Sequence, residues 1–260
     1  MNRSTRIGNI VAFAFVIFFN FLANALPLGG QTTGEISDKY VSMFTPAGFT
    51  FAIWGVIYVA LFGFIVRQAI VTGTAEAVLK EISGLFWLSC FANAAWIVAW
   101  HYDQLVLSMV FMLILLWALI KIVGHQRTTK VPLSFWDYGL LVVPFGLYFG
   151  WISVATIANV SILQSAYGLN DTLLSQETWT VLKLVAAGGA AFFFGLKMKD
   201  PVYLVVIAWA AYGISAANQA GSIVQVSAQF LSVLSFVFAF IAARKAWSHN
   251  RSISRASTTG

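Results

Sequence analysis

Long apolar runs alternate with short polar segments along the whole chain. Eight of these runs reach the roughly 20 residues that a helix needs to cross the hydrocarbon of a bilayer. Proline, glycine or charged residues separate each run from the next. The pattern predicts an all-α membrane protein with eight transmembrane helices, over residues 8–26, 47–66, 82–101, 105–123, 139–158, 178–196, 201–219 and 223–243.

The positions of the charges predict how these helices are oriented. If the spans alternate in direction, almost every arginine and lysine lies at the end that holds both termini, and only Lys39 and Lys183 do not. The positive-inside rule makes this end cytoplasmic. We therefore expect both termini in the cytoplasm and the chain in a bacterial inner (plasma) membrane, with the lipid bilayer as its surroundings.

The composition supports this class and excludes others. Hydrophobic residues make up 60% of the chain and charged residues 9%, so there are too few charges to cover a soluble globule. The net charge of +6 is spread over short segments between apolar runs, which argues against nucleic acid binding. The single cysteine, Cys90, lies inside an apolar run, so we expect a packed core residue and neither a disulfide nor a metal site.

The first apolar run has a second interpretation. Arg3 to Ala25 resembles a secretory signal, because Ala23-Asn24-Ala25 has the small residues of a cleavage site. Two amides in the run favour a retained helix instead, since Asn20 and Asn24 are four residues apart and share one face.

Two segments outside the spans stand out. The longest outer loop, from Pro27 to Pro46, is polar and long enough to fold over the bundle as a lid, although a solvated connector has the same composition. The tail over 248–260 is rich in Ser, Thr and Arg and is predicted to be a disordered basic tail.

Polar side chains inside the spans lie mostly in the predicted outer half, whereas the cytoplasmic half is otherwise apolar. An amide in hydrocarbon needs a partner, so these side chains are expected to face inward, towards each other or towards a ligand. Hydrogen bonding between helices and a ligand pocket explain any single amide equally well. The set in the outer half comprises Asn20, Asn24, Trp54, Tyr58, Asn93, Trp96, Asn159, Lys183, Asn218, Gln219, Gln225 and Gln229.

Aromatic side chains suggest what such a pocket holds. Trp54 and Tyr58 are four residues apart and present one aromatic face of the second span. This face favours a flat apolar ligand in a pocket that opens outward beneath the 27–46 loop. Trp100 at a span end is expected to be an interfacial anchor. The neighbouring His101 can ligate a haem iron, but a lone histidine at the interface is more often solvated, and we expect it to be so.

Lys183 is the one ionisable residue well inside a predicted span. It can pair with a ligand carboxylate or form a Schiff base, or it can extend outward to Asp171 or Glu177.

The chain contains no paired intramembrane carboxylates and no HExxH, GxSxG or Walker motif, so we expect no enzyme. A multi-pass transporter of a small metabolite is the alternative, and a weak ligand-modifying activity is a third hypothesis.

Three segments resemble the tryptophan-rich sensory protein family, also called translocator proteins or the TspO/MBR family. FAIWGVIY (Phe51 to Tyr58) is similar to the second-helix motif of that family. LSCFANAAWIVAW (Leu88 to Trp100) and LYFGWISVATIAN (Leu147 to Asn159) are similar to its third and fifth helices. Order and spacing agree over residues 8–168.

The resemblance implies a five-helix membrane fold, often dimeric, that binds porphyrins, haem or sterol-like lipids under the first outer loop. No cofactor is required, and porphyrin or haem is implied as a ligand. Asn24 and Lys183 are further candidates. The ligand-binding residues that the resemblance implies are Trp54, Tyr58, Asn93, Trp96, Tyr148, Trp151 and Asn159.

The chain departs from the family pattern in two respects. A second proline and a tryptophan usually precede the second-helix motif, where this chain has Pro46 and Phe49, and Leu147 stands in place of a proline. The last three spans have no counterpart in the five-helix members. We therefore expect a five-helix bundle over residues 1–168, a three-helix extension over 169–247 and the tail over 248–260, the extension forming a second bundle or changing the dimer surface.

Overall fold

The computed structural model describes residues 2–26, 28–71, 74–128 and 133–256, with the side chains of all these residues except 74 and 245–256. Within them the chain forms α-helices joined by short turns and contains no β-strand. A 3₁₀ turn at Gly48–Ala52 precedes α3, and π-helical turns lie at Tyr138–Val142 and Ala191–Lys197. The α-helices are α1 (Arg3–Ala25), α2 (Thr33–Lys39), α3 (Ile53–Arg67), α4 (Thr74–His101), α5 (Leu105–Thr128), α6 (Phe135–Asp137), α7 (Val143–Ala166), α8 (Gln176–Ala190), α9 (Pro201–Ala217) and α10 (Ile223–Ala256).

The predicted all-helical membrane fold is confirmed. In the described part of the chain, seven helical segments are long and apolar enough to cross a bilayer. The span predicted at 201–219 is shorter, because Asp200 and Pro201 begin α9 and Asn218 ends it after 17 residues. At 1.5 Å per residue α9 is about 26 Å long, slightly less than the hydrocarbon thickness of about 30 Å.

The last three helices, α8, α9 and α10, share one apolar core with α1, α3, α4, α5 and α7. α4 packs against α1 and α5, α7 packs against α3, α5 and α9, and α10 packs against α8 and α9. Leu184 of α8 and Tyr203 of α9 belong to the same buried cluster as Ile57 of α3. The C-terminal helices therefore lie directly on the N-terminal bundle rather than in a bundle of their own.

Two glycines of α7 let α9 approach closely. A Cβ atom at Gly150 would lie 2.8 Å from Cβ of Val206, and one at Gly146 would lie 3.2 Å from Cβ of Val202. Any larger side chain at Gly150 would force the two helices apart. Small residues at these two positions therefore mark a close contact between α7 and α9.

Ion pairs mark the two ends of the bundle. At the end opposite α2, which we call the basic end, three pairs join neighbouring helices. At the other end, which we call the lid end, Nζ of Lys39 lies 3.0 Å from Oδ2 of Asp103. The pairs of the basic end are Arg6–Glu76 at 3.1 Å, Arg67–Asp137 at 2.8 Å and Arg127–Asp200 at 2.7 Å.

The structure corrects three expectations about residues near the span ends. Trp100 is not an interfacial anchor and His101 is not solvated, because the segment before and within α2 covers this end of α4 and leaves each of them only 4% exposed. The backbone of α10 continues as a helix to Ala256, into the segment predicted to be disordered, since no glycine or proline interrupts it. Residues 257–260 lie outside the described residues.

Candidate ligand pocket

Trp54 lies at the centre of a cluster of aromatic rings near the lid end. Its indole stacks on Tyr58, with ring centroids 5.6 Å apart, and on Trp96, at 5.9 Å. Tyr148 and Trp151 meet it edge to face at 6.1 and 6.2 Å. Stacked and edge-on pairs at these separations are favourable geometries, so the cluster holds the Trp54 ring in one orientation.

One face of this cluster opens into a groove between α1 and α3. The groove has a volume of about 700 Å³, within the range of about 300–1,000 Å³ that small-molecule sites occupy. Its outer rim includes Phe21 and Val59, which are 60% and 73% exposed on the sides of the two helices. A ligand can therefore reach the groove from the side of the bundle as well as from the lid end. Its walls are formed by Ile17, Asn20, Phe21, Asn24, Thr32, Thr33, Gly34, Gly48, Phe51, Trp54, Gly55, Tyr58, Val59 and Ile97.

The other side of Trp54 borders a much smaller inner cavity of about 40 Å³. Trp96, Trp151 and Asn159 line this cavity beneath Thr45 and Pro46. Thr33, Phe51 and Trp54 line both the groove and the inner cavity. The rings of Phe51 and Trp54 therefore lie between the groove and the inner cavity.

A chain of amides runs beneath the groove from α1 through α4 to α7. Asn24 Nδ2 donates to the carbonyl of Asn20 at 2.9 Å, and Asn20 Nδ2 donates to Oδ1 of Asn93 at 2.7 Å. Asn93 Nδ2 then donates to the hydroxyl of Tyr148 at 2.8 Å. Asn93 is fully buried, does not line either cavity, and joins Asn20 to Tyr148.

Five donors next to these cavities have no partner within the described residues, and two of them are the hydroxyls of Thr33 and Thr45. The Tyr58 hydroxyl and the indole nitrogens of Trp96 and Trp151 are buried without a hydrogen bond. A buried donor without a partner costs about 1–3 kcal/mol, so a ligand that supplies acceptors would regain this energy. The walls thus combine flat aromatic faces with a few donors.

The segment over 28–46 folds back over the lid end. Within it α2 packs Ile36 against Trp100, and the carbonyl of Thr33 accepts from Nε1 of Trp100 at 3.3 Å. Lys39 and the hydroxyl of Tyr40 both bind Asp103, each at 3.0 Å. Of the two interpretations of the loop, the structure matches the lid.

The C-terminal helices hold this lid in place. Asn218 at the end of α9 donates to the carbonyl of Met43 at 2.9 Å, and Gln176 at the start of α8 donates to the carbonyl of Val41 at 3.2 Å. The backbone N–H of Ala47 donates to the carbonyl of Gly213 at 3.0 Å. The position of the lid therefore depends on helices that lie more than a hundred residues further along the chain.

Acidification is expected to loosen α2. Oε2 of Glu35 accepts from N of Thr32 at 2.7 Å and from Oγ1 of Thr32 at 2.9 Å, and these bonds hold the pKa of Glu35 below its ordinary value of 4.5. Because the pKa is lowered on folding, this stabilisation is complete above the unfolded pKa and is lost as the pH falls through the folded one. Hydrogen exchange should show lower protection of the α2 amides at about pH 3 than at about pH 6. In Glu35→Gln, which has no titratable group at this position, this pH dependence should be absent, and an equal loss in the variant would contradict the assignment.

The structure brings together most of the residues proposed for the site, in three groups. Trp54 borders both spaces, Tyr58 and Asn24 line the groove, and Trp96, Trp151 and Asn159 line the inner cavity. Asn93 and Tyr148 form the hydrogen-bonded layer below. Lys183 lies elsewhere, in α8, and binds Gln164 rather than Asp171 or Glu177.

Two aromatic residues that line the inner cavity were not among the proposed site residues. Phe51 precedes Trp54 by three residues and therefore shares its helical face, a signal that the sequence does contain. Trp100 stacks on Trp96 with centroids 6.1 Å apart and lines the inner cavity, but its position at a span end concealed this role. Among the described residues no group of three or more His, Cys, Asp or Glu could hold a metal ion.

The fold and this site agree with a comparison to known families. The model of the TSPO-like protein family matches residues 6–241, which includes α8, α9 and most of α10. Neither the curated proteins nor the solved structures contain a significant match. The resemblance to the tryptophan-rich sensory proteins is confirmed by this match, which extends beyond the three motifs to the last three helices. The chain belongs to the TSPO-like protein family.

Proposed function

We propose that this protein is a non-enzymatic membrane binder or sensor of a planar apolar ligand, a porphyrin, haem or a sterol-like molecule. The ligand would lie in the groove between α1 and α3, with its flat face against Trp54 and Tyr58. The observation that carries the proposal is the position of Trp54, which is fixed by four neighbouring rings and presents its remaining surface to a groove of about 700 Å³.

The polar groups of the groove suit the edge of such a ligand. Asn24, Thr32 and Thr33 lie on the groove wall that includes the lid. Carboxylates at the edge of a porphyrin would accept hydrogen bonds there, while its apolar body stays between the helices. The proposed orientation places the lid end outside and the basic end in the cytoplasm of a bacterial inner membrane, as the positive-inside rule predicts.

Titration of the purified full chain with protoporphyrin tests this proposal. Saturable quenching of tryptophan fluorescence is expected, and Trp54→Ala should raise the dissociation constant by at least about tenfold, or about 1.4 kcal/mol. Trp117→Ala is the matched control, because Trp117 is 50% exposed on α5 and does not line the groove. The same affinity in wild type and Trp54→Ala would contradict the pocket.

Asn93→Ala should act indirectly in the same titration. The change removes the bond from Asn20 and leaves the Tyr148 hydroxyl without its donor. Asn20 on the groove wall and the Tyr148 ring beside Trp54 therefore both lose a contact that holds them in place. We expect a smaller rise of the dissociation constant than for Trp54→Ala, together with a lower stability.

Recovery of unchanged protoporphyrin after incubation with light and oxygen would favour binding over ligand modification.

A transporter of a small metabolite is the second candidate, because one observation favours it. At the basic end Asn9 Nδ2 donates to Gln68 Oε1 at 2.8 Å and to Ser83 Oγ at 3.2 Å, and Nε1 of Trp87 donates to Asn9 Oδ1 at 2.7 Å. The expectation of an otherwise apolar cytoplasmic half is therefore wrong. A transport pathway requires polar groups at both ends, and this cluster supplies the second set.

Three fully buried rings lie between the two polar layers. Phe64 meets Phe86 at 5.1 Å and Phe145 at 5.0 Å, and along α3 and α4 these rings lie between the groove residues and the Asn9 cluster. Solute passage would require this aromatic layer to open. Flux in proteoliposomes that is lost on disrupting the Asn9 cluster would favour the transporter, whereas protoporphyrin binding without flux favours the binder.

A further inference from the structure

A second groove lies at the lid end between α5, α7 and α8. It has a volume of about 740 Å³, and apolar side chains such as Val106, Leu163 and Leu182 form most of its wall. Trp54 and its neighbours do not line it, so it is separate from the pocket described above. Its polar lining includes Gln164 and Lys183.

Lys183 gives this groove a positive charge. Its Nζ donates to Oε1 of Gln164 at 2.7 Å, and within the described residues it forms no ion pair. No aspartate or glutamate is among the lining residues. A lysine inside a membrane span is costly unless an anion or water accompanies it, and the amide of Gln164 carries no compensating charge.

A second donor lies on the same face of α8. Trp179 precedes Lys183 by four residues, and the side chains of both line the groove. The indole nitrogen of Trp179 is buried and has no hydrogen-bond partner in the part of the chain that the structure describes. One ammonium and one free indole N–H, placed one helical turn apart, form a site for an acceptor that carries negative charge.

We propose that this groove binds the carboxylate of a single-chain amphiphile, a long-chain fatty acid, with the carboxylate on Lys183 and Trp179 and the chain along the apolar wall. Recognition of anionic phospholipid headgroups normally uses clusters of basic residues, whereas Lys183 is the single basic residue that lines this groove. Lys183 lies seven residues into α8, about 10 Å along the helix, which suits a headgroup seated below the helix end. The site does not depend on the function proposed for the Trp54 pocket.

Binding of radiolabelled hexadecanoate to the purified full chain in detergent, followed by scintillation proximity, tests the proposal. Saturable binding is expected, and Lys183→Met should raise the dissociation constant at least about tenfold. Lys183→Arg keeps the charge and should stay close to wild type, while Trp179→Phe keeps the ring without its donor and should weaken binding a few-fold. Lys121→Met is the matched control, since Lys121 lies over Trp117 on α5 and does not line the groove.

Competition on the wild-type chain needs no variant. Hexadecan-1-ol has the same chain without the charge and should compete poorly, and phosphatidylglycerol should displace little hexadecanoate. Equal binding by Lys183→Met, equal competition by the alcohol, or displacement by the phospholipid at matched concentration would each overturn the proposal. Protoporphyrin binding by Lys183→Met should be unchanged, which separates a failure of this site from a failure of the Trp54 pocket.

Discussion

Replacement of Asp200 by asparagine is expected to destabilise the bundle by about 3–5 kcal/mol, because it leaves the Arg127 guanidinium at the basic end without its counter-ion. Asp200 is 3% exposed, and its Oδ2 lies 2.7 Å from Nη2 of Arg127. The same carboxylate accepts from the backbone N–H of Val202 and Tyr203, both at 3.1 Å, and so caps α9. Unfolding by sodium dodecyl sulfate in mixed micelles, followed by circular dichroism, measures the change.

A series of variants separates the ion pair from the cap. Asparagine is as good an N-cap as aspartate, so Asp200→Asn removes mainly the charge, and Asp200→Ala should cost about 1 kcal/mol more. Arg127→Met combined with Asp200→Asn should recover much of the loss, since no unpaired charge stays buried. If the double variant were as unstable as the sum of the single ones, the charge pair would not be the cause.

The exposed pair at the lid end provides the control. Lys39 and Asp103 have side chains that are 36% and 41% exposed, and exposed pairs contribute about 0–1 kcal/mol. Asparagine tolerates the backbone φ of 58° at position 103, so Asp103→Asn changes the charge with little strain. We expect a loss below about 1 kcal/mol for this variant.

Hydropathy was sufficient to predict the helices, because the requirement for about 20 apolar residues per crossing leaves few alternatives. The depth of Asn20, Asn93 and Tyr58 also indicated that polar groups meet near one end. Rotation of each helix about its axis is set by packing, and hydropathy does not report it. Hydropathy therefore left open whether Asn93 faces other side chains or a ligand, and in the structure it bridges Asn20 and Tyr148.

The role of the last three helices could not be predicted from the motifs, which end at Asn159. The lid bonds made by Gln176, Gly213 and Asn218 are contacts between single residues distant in sequence. Such contacts leave no periodic pattern of residue types in the sequence from which they could be predicted. The Asn9 cluster was missed for a similar reason, because Gln68 and Ser83 lie near span ends, where polar residues are ordinary.

Gly213→Ala is expected to weaken ligand binding at a distance, through the turn that precedes α3. A Cβ atom at Gly213 would clash with Oγ1 of Thr50 and would lie 2.8 Å from its Cγ2. Thr50 is fully buried in the 3₁₀ turn at Gly48–Ala52, and its carbonyl accepts from Nε1 of Trp209 at 3.0 Å. Overpacking of this kind costs about 1–3 kcal/mol and is relieved by backbone shifts, which here would move the start of α3.

Because Trp54 lies four residues after Thr50, that shift should change both groove and inner cavity. The dissociation constant for protoporphyrin should rise about tenfold in Gly213→Ala and stay unchanged in Gly189→Ala, whose added Cβ would meet nothing within 4 Å. Thr50→Ala removes Oγ1 and Cγ2, so in combination with Gly213→Ala it should restore most of the affinity. Recovery would mean that α9 sets the position of the aromatic cluster through this one contact. A double variant as weak as Gly213→Ala would instead place the defect within α9, and the lid bonds of Asn218 would then be the remaining link between the C-terminal helices and the groove.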